Sequence, residues 1–282
     1  MKSICPRPDR HTAEGLLYGP ALELIGANGT AIGATIAALT AFTGDSLAVR
    51  NTGDAKPAKL LTCWTDVQVA GTARIRSPKF HDNVQGMRFD TVIGDVRPIM
   101  PWGIAQPIYP NDVLAVELGG SAVAGDVESV LLLNYYPELP GANARFVTPD
   151  EVMRRAMHIF TVENTIATGT GGGWTGGEAI NVEFDQFHAG GLYALIGYLV
   201  DAECSAVGWR GADTANLRIG GPGDETEREL TADWFLRLSR GFGIPLVPLF
   251  SAENKGAITV DCAQDENGAD VTVTSIFVEL AR

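Results

Sequence analysis

"TGTGGGWTGGE" (168–178) carries six glycines in eleven residues. It reads either as a phosphate cradle or as the lead-in to a strand. A phosphate loop needs a helix directly after its glycines and a Gly-Lys-Ser/Thr end, because helix N–H groups and the lysine hold the anion. This stretch has no lysine, and the apolar, β-branched "EAINVEF" (178–184) follows it. The glycines therefore predict turns of positive φ or close backbone approach beside a strand.

Strand signals extend outward from there. "SLAVRN" (46–51), "KLLTCWTDVQVAG" (59–71), "DVLAVEL" (112–118), "VESVLLLNYY" (127–136), "LYALIGYLVDAE" (192–203), "AITVDCA" (257–263) and "VTVTSIFVEL" (271–280) are β-branched, aromatic or leucine-rich. Turn-forming residues bound them. Helical patterning is confined to two places. "TPDEVMRRAMHIF" (148–160) offers Thr148 as N-cap, Pro149 at the first helical position and acids in the first turn, which puts His158 in a helix. "ELTADWFLRLSR" (229–240) suits a short helix or a strand.

The two halves of the chain match in order. Phe42-Thr43-Gly44-Asp45 lies over Trp174-Thr175-Gly176-Gly177, each before an apolar strand ending in Val49 or Val182. "LLTCWTDV" (60–67) lies over "LIGYLVDA" (195–202), and Trp102-Gly103-Ile104 over Phe242-Gly243-Ile244. Pro107-Ile108-Tyr109 lies over Pro248-Leu249-Phe250, "VLAVE" (113–117) over "AITVD" (257–261), and Asp126-Val127 over Asp270-Val271. The offset climbs from 132 (Phe42 to Trp174) to 144 (Asp126 to Asp270) and never falls. Loop insertions between repeated units produce that drift, whereas chance matches scatter. The loops "SPKFHDNVQG" (77–86) and "GGPGDETERE" (220–229) also sit at matching places.

Each unit holds some seven or eight strand candidates, without the intervening helices that parallel βαβ crossovers require. The expected fold is all-β: two tandem jelly-roll β-sandwiches joined by a linker with one short helix. The expected division is an N-terminal arm with first strands at 1–40, a first jelly roll at 41–139, the linker with its helix at 140–167, and a second jelly roll at 168–282.

Two jelly rolls in a chain of this size resemble the double jelly-roll major capsid proteins of tailless icosahedral bacterial and archaeal viruses. The resemblance is architectural, covers residues 40–282 as a pattern, and implies a homotrimer of pseudo-hexagonal outline tiling an icosahedral shell. It also implies a virion location, with minor capsid or penton proteins as further partners. The units are short for that family, so large tower-like loops are not expected.

Composition agrees with a structural role. Charged residues make up 20% of the 282 and the net charge is −13, which leaves no basic footprint for sequence-specific nucleic-acid binding. No run is long and apolar enough for a membrane helix, and "MKSICPRPDRHTAEG" lacks the apolar core of a signal peptide. The expectation is synthesis in the host cytoplasm without export. Lys2, Arg7 and Arg10 give the N-terminal arm a slight positive excess suited to facing a genome or an inner membrane.

Chemistry is sparse. Cys5, Cys63, Cys204 and Cys262 have no CxxC spacing and read as plain thiols; no disulfide or metal is expected. His11, His81, His158 and His188 are scattered and contain no HxH pair, against a bicupin metal site. Asp66 and Asp201 are repeat-related carboxylates at strand ends, read as turn residues rather than an acid–base pair. No catalytic residue and no cofactor is expected. Trp64, Trp102 and Trp174 fall at strand or strand-edge positions and read as core, whereas Trp209 and Trp234 read as exposed or interface aromatics. The alternative to a shell subunit is a tandem β-sandwich binding module, a spike or fibre part recognising glycan or protein through exposed aromatics.

Overall fold

A computed structural model describes residues 10–11, 17–30, 35–52, 57–120, 127–167, 169, 172–180, 186–202, 204–264 and 270–281. The first unit contains β1 (Arg10–His11), β2 (Leu17–Thr30), β3 (Ala37–Ala38), β4 (Thr40–Ala41), β5 (Ala58–Asp66), β6 (Gly71–Arg76), β7 (Met87–Asp90), β8 (Gln106–Ile108), β9 (Ala115–Gly120) and β10 (Val127–Pro140). Then β11 (Phe146–Val147) and α1 (Pro149–Arg155) lead into the second. That unit contains β12 (Ala156–Ile166), β13 (Gly173–Ala179), β14 (Leu192–Val200), β15 (Cys204–Arg210), β16 (Ile219–Gly223), α2 (Arg228–Thr231), α3 (Trp234–Phe242), β17 (Val247–Ser251), β18 (Thr259–Gln264) and β19 (Val271–Leu280).

The sheets are antiparallel throughout, in the orders β2-β10-β5-β8 and β3-β9-β6-β7, then β12-β19-β14-β17 and β13-β18-β15-β16. Strands β1 and β4 flank β2, and β11 flanks β17. Leave β1, β4 and β11 aside and count eight strands along each unit. Both units then pair first-eighth-third-sixth in one sheet and second-seventh-fourth-fifth in the other. That order is a jelly roll, made twice. Most repeat matches land on equivalent strands: 60–67 and 195–202 on the thirds (β5, β14), 107–108 and 248–249 on the sixths (β8, β17), and 115–117 and 259–261 on the sevenths (β9, β18).

The long apolar runs follow from burial on both faces. In β10, Val130 and Leu132 enter the first sandwich's own core, while Leu131 and Leu133 point the other way into a cluster dominated by the second unit. A strand covered on both sides loses the alternation of a half-solvated one. In β14, Gly197 lets α2 sit directly on the sheet, since a Cβ there would collide with the Ala232 carbonyl. Helix α3 buries Trp234, Phe235 and Leu238 and stops at Gly243, whose φ of 64° favours glycine.

Several local expectations change. Thr148 does cap α1, accepting from Glu151 N at 3.3 Å. The helix ends at Arg155, however, and His158 lies in β12. The alternating residues beyond it pair with β19, with Phe160 opposite Phe277; the β-period outcompetes helix propensity there. Residues 156–166, read as linker, are thus a strand of the second sandwich. "ELTADWFLRLSR" is helical, in two pieces. "SLAVRN" makes only the Ala48–Val113 bridge. Its backbone bonds instead to the 109–114 turn, Val49 N to Asp112 O at 2.7 Å and Asn111 N to Val49 O at 3.0 Å. Val182 lies outside the described residues. The loops at 77–86 and 220–229 do not coincide, because Gly220–Gly223 belong to β16.

Candidate functional site

The most developed polar site lies on the seam between the sandwiches, a cleft of about 270 Å³. Arg218, just before β16, is its centre. The guanidinium bonds Asp45 Oδ1 through Nη1 at 3.0 Å and Asp261 Oδ2 through Nε at 2.8 Å. It also stacks 3.9 Å over the Trp174 ring. Trp174 Nε1 and Gly26 N both donate to Asp45 Oδ2 at 2.8 Å. Leu24 N donates to the Arg218 carbonyl at 2.7 Å, so backbone and side chain of one residue both tie the units together. Arg210 adds a 3.0 Å bridge to Asp261. On the first unit's side, Arg50 holds Glu23 at 2.6 Å and Tyr136 donates to the same carboxylate at 2.8 Å.

The glycine run builds this site. The strand here is β13, Gly173–Ala179, made of the run's own second half rather than following it, and 181–184 of the expected strand lie outside the described residues. Gly176 (φ 117°) and Gly177 (φ 85°) form a bulge in β13, and a Cβ on Gly176 would stand 2.9 Å from the Val260 carbonyl. Gly172 (φ 75°) offers its carbonyl to Asn28 Nδ2 of the first unit. The bends place Trp174 between Phe42, at 5.9 Å edge to face, and Arg218.

Three arginines face three carboxylates in the cleft. Burial pushes the Asp45 carboxyl above its usual range, while donation from Trp174 and Gly26 and the Arg218 charge pull it back. Burial and the Glu23 charge push the Tyr136 hydroxyl upward. With three acids matched by three bases, the arrangement clamps two bodies together.

A second contact runs alongside. Trp64 Nε1 donates to Ser205 O at 2.8 Å, and Ser205 Oγ donates to Asp66. Trp234 packs edge to face on Trp64 at 6.2 Å and on Trp102 at 5.7 Å. Leu22, Leu24, Trp64, Leu131 and Leu133 of the first unit thereby share one buried core with Trp234, Phe235 and Leu238 of the second.

The tryptophans depart from the sequence expectation. Trp209 and Trp234 are both buried, not exposed. Trp209 fills the second sandwich, donating to Ser275 Oγ at 3.0 Å, and Trp234 belongs to an interface only within the chain. Trp64 is core as expected, but Trp102 is 40% exposed at the rim of the seam. Lys2 and Arg7 lie outside the described residues; the Arg10 backbone pairs with Tyr18 in β1. Cys5 also lies outside them. Cys63, Cys204 and Cys262 are buried thiols outside any disulfide, and burial lifts the Cys63 thiol to about 12. Asp66 accepts from Ser205 Oγ, whereas Asp201 ties the end of β14 to β19 by accepting from Thr272 N at 2.6 Å. Among the described residues no three His, Cys, Asp or Glu gather as a metal site, and no helix is long and apolar enough to cross a membrane. Sequence reading missed Arg218, Asp45 and Asp261 as a group. The available signal was an arginine inside the apolar "ANLRIG" (215–220).

No known family matches the chain, and no curated protein does. Among solved structures it is similar to the PBSX exported protein XepA, at 12% identity and a TM-score of 0.28, over 90% of this chain and 86% of that one. Viral major capsid proteins also appear. The STIV MCP has 9% identity and a TM-score of 0.21, over 95% of this chain and 90% of its own. The major capsid protein P2 from bacteriophage PM2 has 6% identity and a TM-score of 0.20, over 93% and 98%.

Proposed function

We propose that the chain is a self-assembling shell subunit, a major capsid protein that forms a homotrimer and then an icosahedral lattice. The observation that carries this is the pair of jelly rolls with identical strand order, fused through one continuous buried core. The fusion is head-to-tail: the outer face of β2-β10-β5 in the first unit meets the β15-β16 side of the second. A contact between like units that uses different faces on each does not terminate itself, and rings or lattices follow from it. The division into arm, first sandwich, linker and second sandwich belongs to the same reading, with β2 counted in the first sandwich and β12 in the second. So do the virion location, synthesis in the host cytoplasm, the non-enzymatic role, and minor capsid or penton proteins as partners. The binding-module alternative rested on Trp209 and Trp234 as exposed aromatics, and both are buried.

Light scattering on the purified protein tests it. A mass near 90 kDa, three times the 29.9 kDa of one chain, with six-sided particles or sheets in negative stain, supports the reading. A monomer at every concentration refutes it.

A further inference from the structure

The seam has a counterpart that is left uncovered. In the second unit Asp261 of β18 faces Gly208 and Arg210 of β15, since Gly208 pairs with Asp261 and Arg210 with Thr259. In the first unit Glu117 of β9 faces Arg74 and Arg76 of β6, since Arg74 pairs with Glu117 and Arg76 with Ala115. The registers are the same, so Glu117 corresponds to Asp261, Arg76 to Arg210, and Arg74 to Gly208. Gly208 leaves its space to Arg218, whose side chain a Cβ at 208 would strike. Each unit thus carries one acid between two arginines on the outer face of the same sheet.

Their surroundings differ. In the second unit this cluster receives a further carboxylate, Asp45, from the first unit, which balances its charge; Asp45, Asp261 and Arg218 are buried against one another, while Arg210 stays partly exposed at the rim. In the first unit Arg74 and Arg76 both bond Glu117, but their side chains remain 20% and 32% exposed. Arg88, opposite Arg74 on β7, is exposed as well. With Glu117 and the exposed Asp90 on the same face, three arginines stand against two acids, a net positive patch on a chain of net charge −13.

The complementary face is open too. Asp45 reaches its site from beside β2, the first strand of its unit, held by Gly26 N. The corresponding strand of the second unit is β12, an edge strand whose outer face shows Ile159, 67% exposed, and the exposed Glu163. Val162 and Asn164 alternate with Glu163 and point inward, so Glu163 faces out.

We propose that the seam repeats between molecules: the outer face of β12 in one copy docks on the outer face of β6-β7-β9 in the next, with Glu163 entering between Arg74 and Arg76. The occupant is a second copy of this chain. This rests on the oligomeric reading above and adds which surfaces meet. Charge complementarity steers the two faces together, and Ile159 leaves water in the contact.

Charge exchange tests it, read as mass by light scattering. Glu163→Arg alters an exposed side chain and should take the oligomer to a single chain, as should Ile159→Asp. Arg76→Glu should do the same; if it fails to fold by circular dichroism, Arg88→Glu, at an exposed position, replaces it. Combining Glu163→Arg and Arg76→Glu in one chain places the swapped pair at every interface and should restore the oligomer. A wild-type oligomer that Glu163→Arg and Ile159→Asp leave intact overturns this interface while the oligomeric reading stands. So does dissociation that the double variant fails to reverse. A monomeric wild type overturns both.

Discussion

Replacing Arg218 by methionine keeps bulk over Trp174 and deletes the charge at the centre of the seam. Two bonds go, at 3.0 Å to Asp45 and 2.8 Å to Asp261, from carboxylate side chains only 5% and 2% exposed. Removing one member of a buried pair costs about 3–5 kcal/mol, because the partner is left charged and dry. Asp261 keeps Arg210, whereas Asp45 keeps only the neutral donors Gly26 and Trp174. The expected loss is therefore at the low end, about 3 kcal/mol. At about 2–4 °C per kcal/mol for a chain of this size, Tm falls by about 6–12 °C. Calorimetry measures it, and a single transition is expected because the two sandwiches share a core. Asp45→Asn in the Arg218→Met background removes the orphaned charge and should recover about 1–2 kcal/mol. A Tm drop under about 2 °C, or Asp45→Asn costing the same in both backgrounds, would show that the clamp does not hold the seam.

Gly197→Ala should cost about 1–3 kcal/mol by urea titration, since the added methyl collides with the Ala232 carbonyl and pushes α2 off β14. Thr148→Ala removes the cap of α1 and should cost about 1 kcal/mol in the same assay. Glu117→Gln probes pH. Bonding from Arg76, against the opposing effect of burial and with Arg74 beside it, holds the Glu117 carboxyl below its usual range. Its contribution is therefore present above the ordinary glutamate value and lost as pH falls through the depressed one. The urea midpoints of wild type and variant should differ at neutral pH and converge in acid.

The strand framework was legible because insertions in loops leave strand cores intact. "LLTCWTDV" and "LIGYLVDA" fall on equivalent third strands, and the matches at Pro107 and Pro248 on equivalent sixth strands. The helix boundary at Arg155 was not legible, since Met157 to Phe160 suits either period until β19 is there to pair with it. Trp209 and Trp234 were misplaced for a related reason. Their cover comes from Tyr198 and Phe235 for one and from Trp64 and Trp102 for the other, and no local pattern announces that Trp234 is roofed by a different sandwich.

The seam illustrates what a repeat reveals only when its register is known. Asp45 lies 173 residues from Arg218 and 129 from Trp174, beyond any local motif. Once β6-β9 and β15-β18 are aligned, however, Gly208 stands out as the position where the first unit has Arg74. A glycine there weakens a strand that otherwise packs well. Its compensation is room for Arg218, which approaches from the neighbouring strand and reaches both Asp261 and Asp45. With an arginine at 208 the guanidinium would stand on β15 itself, as Arg74 does on β6. The exchange of one residue for glycine thus moves the cation from a half-exposed sheet face to the junction of two domains, where a carboxylate from the other sandwich can be buried against it.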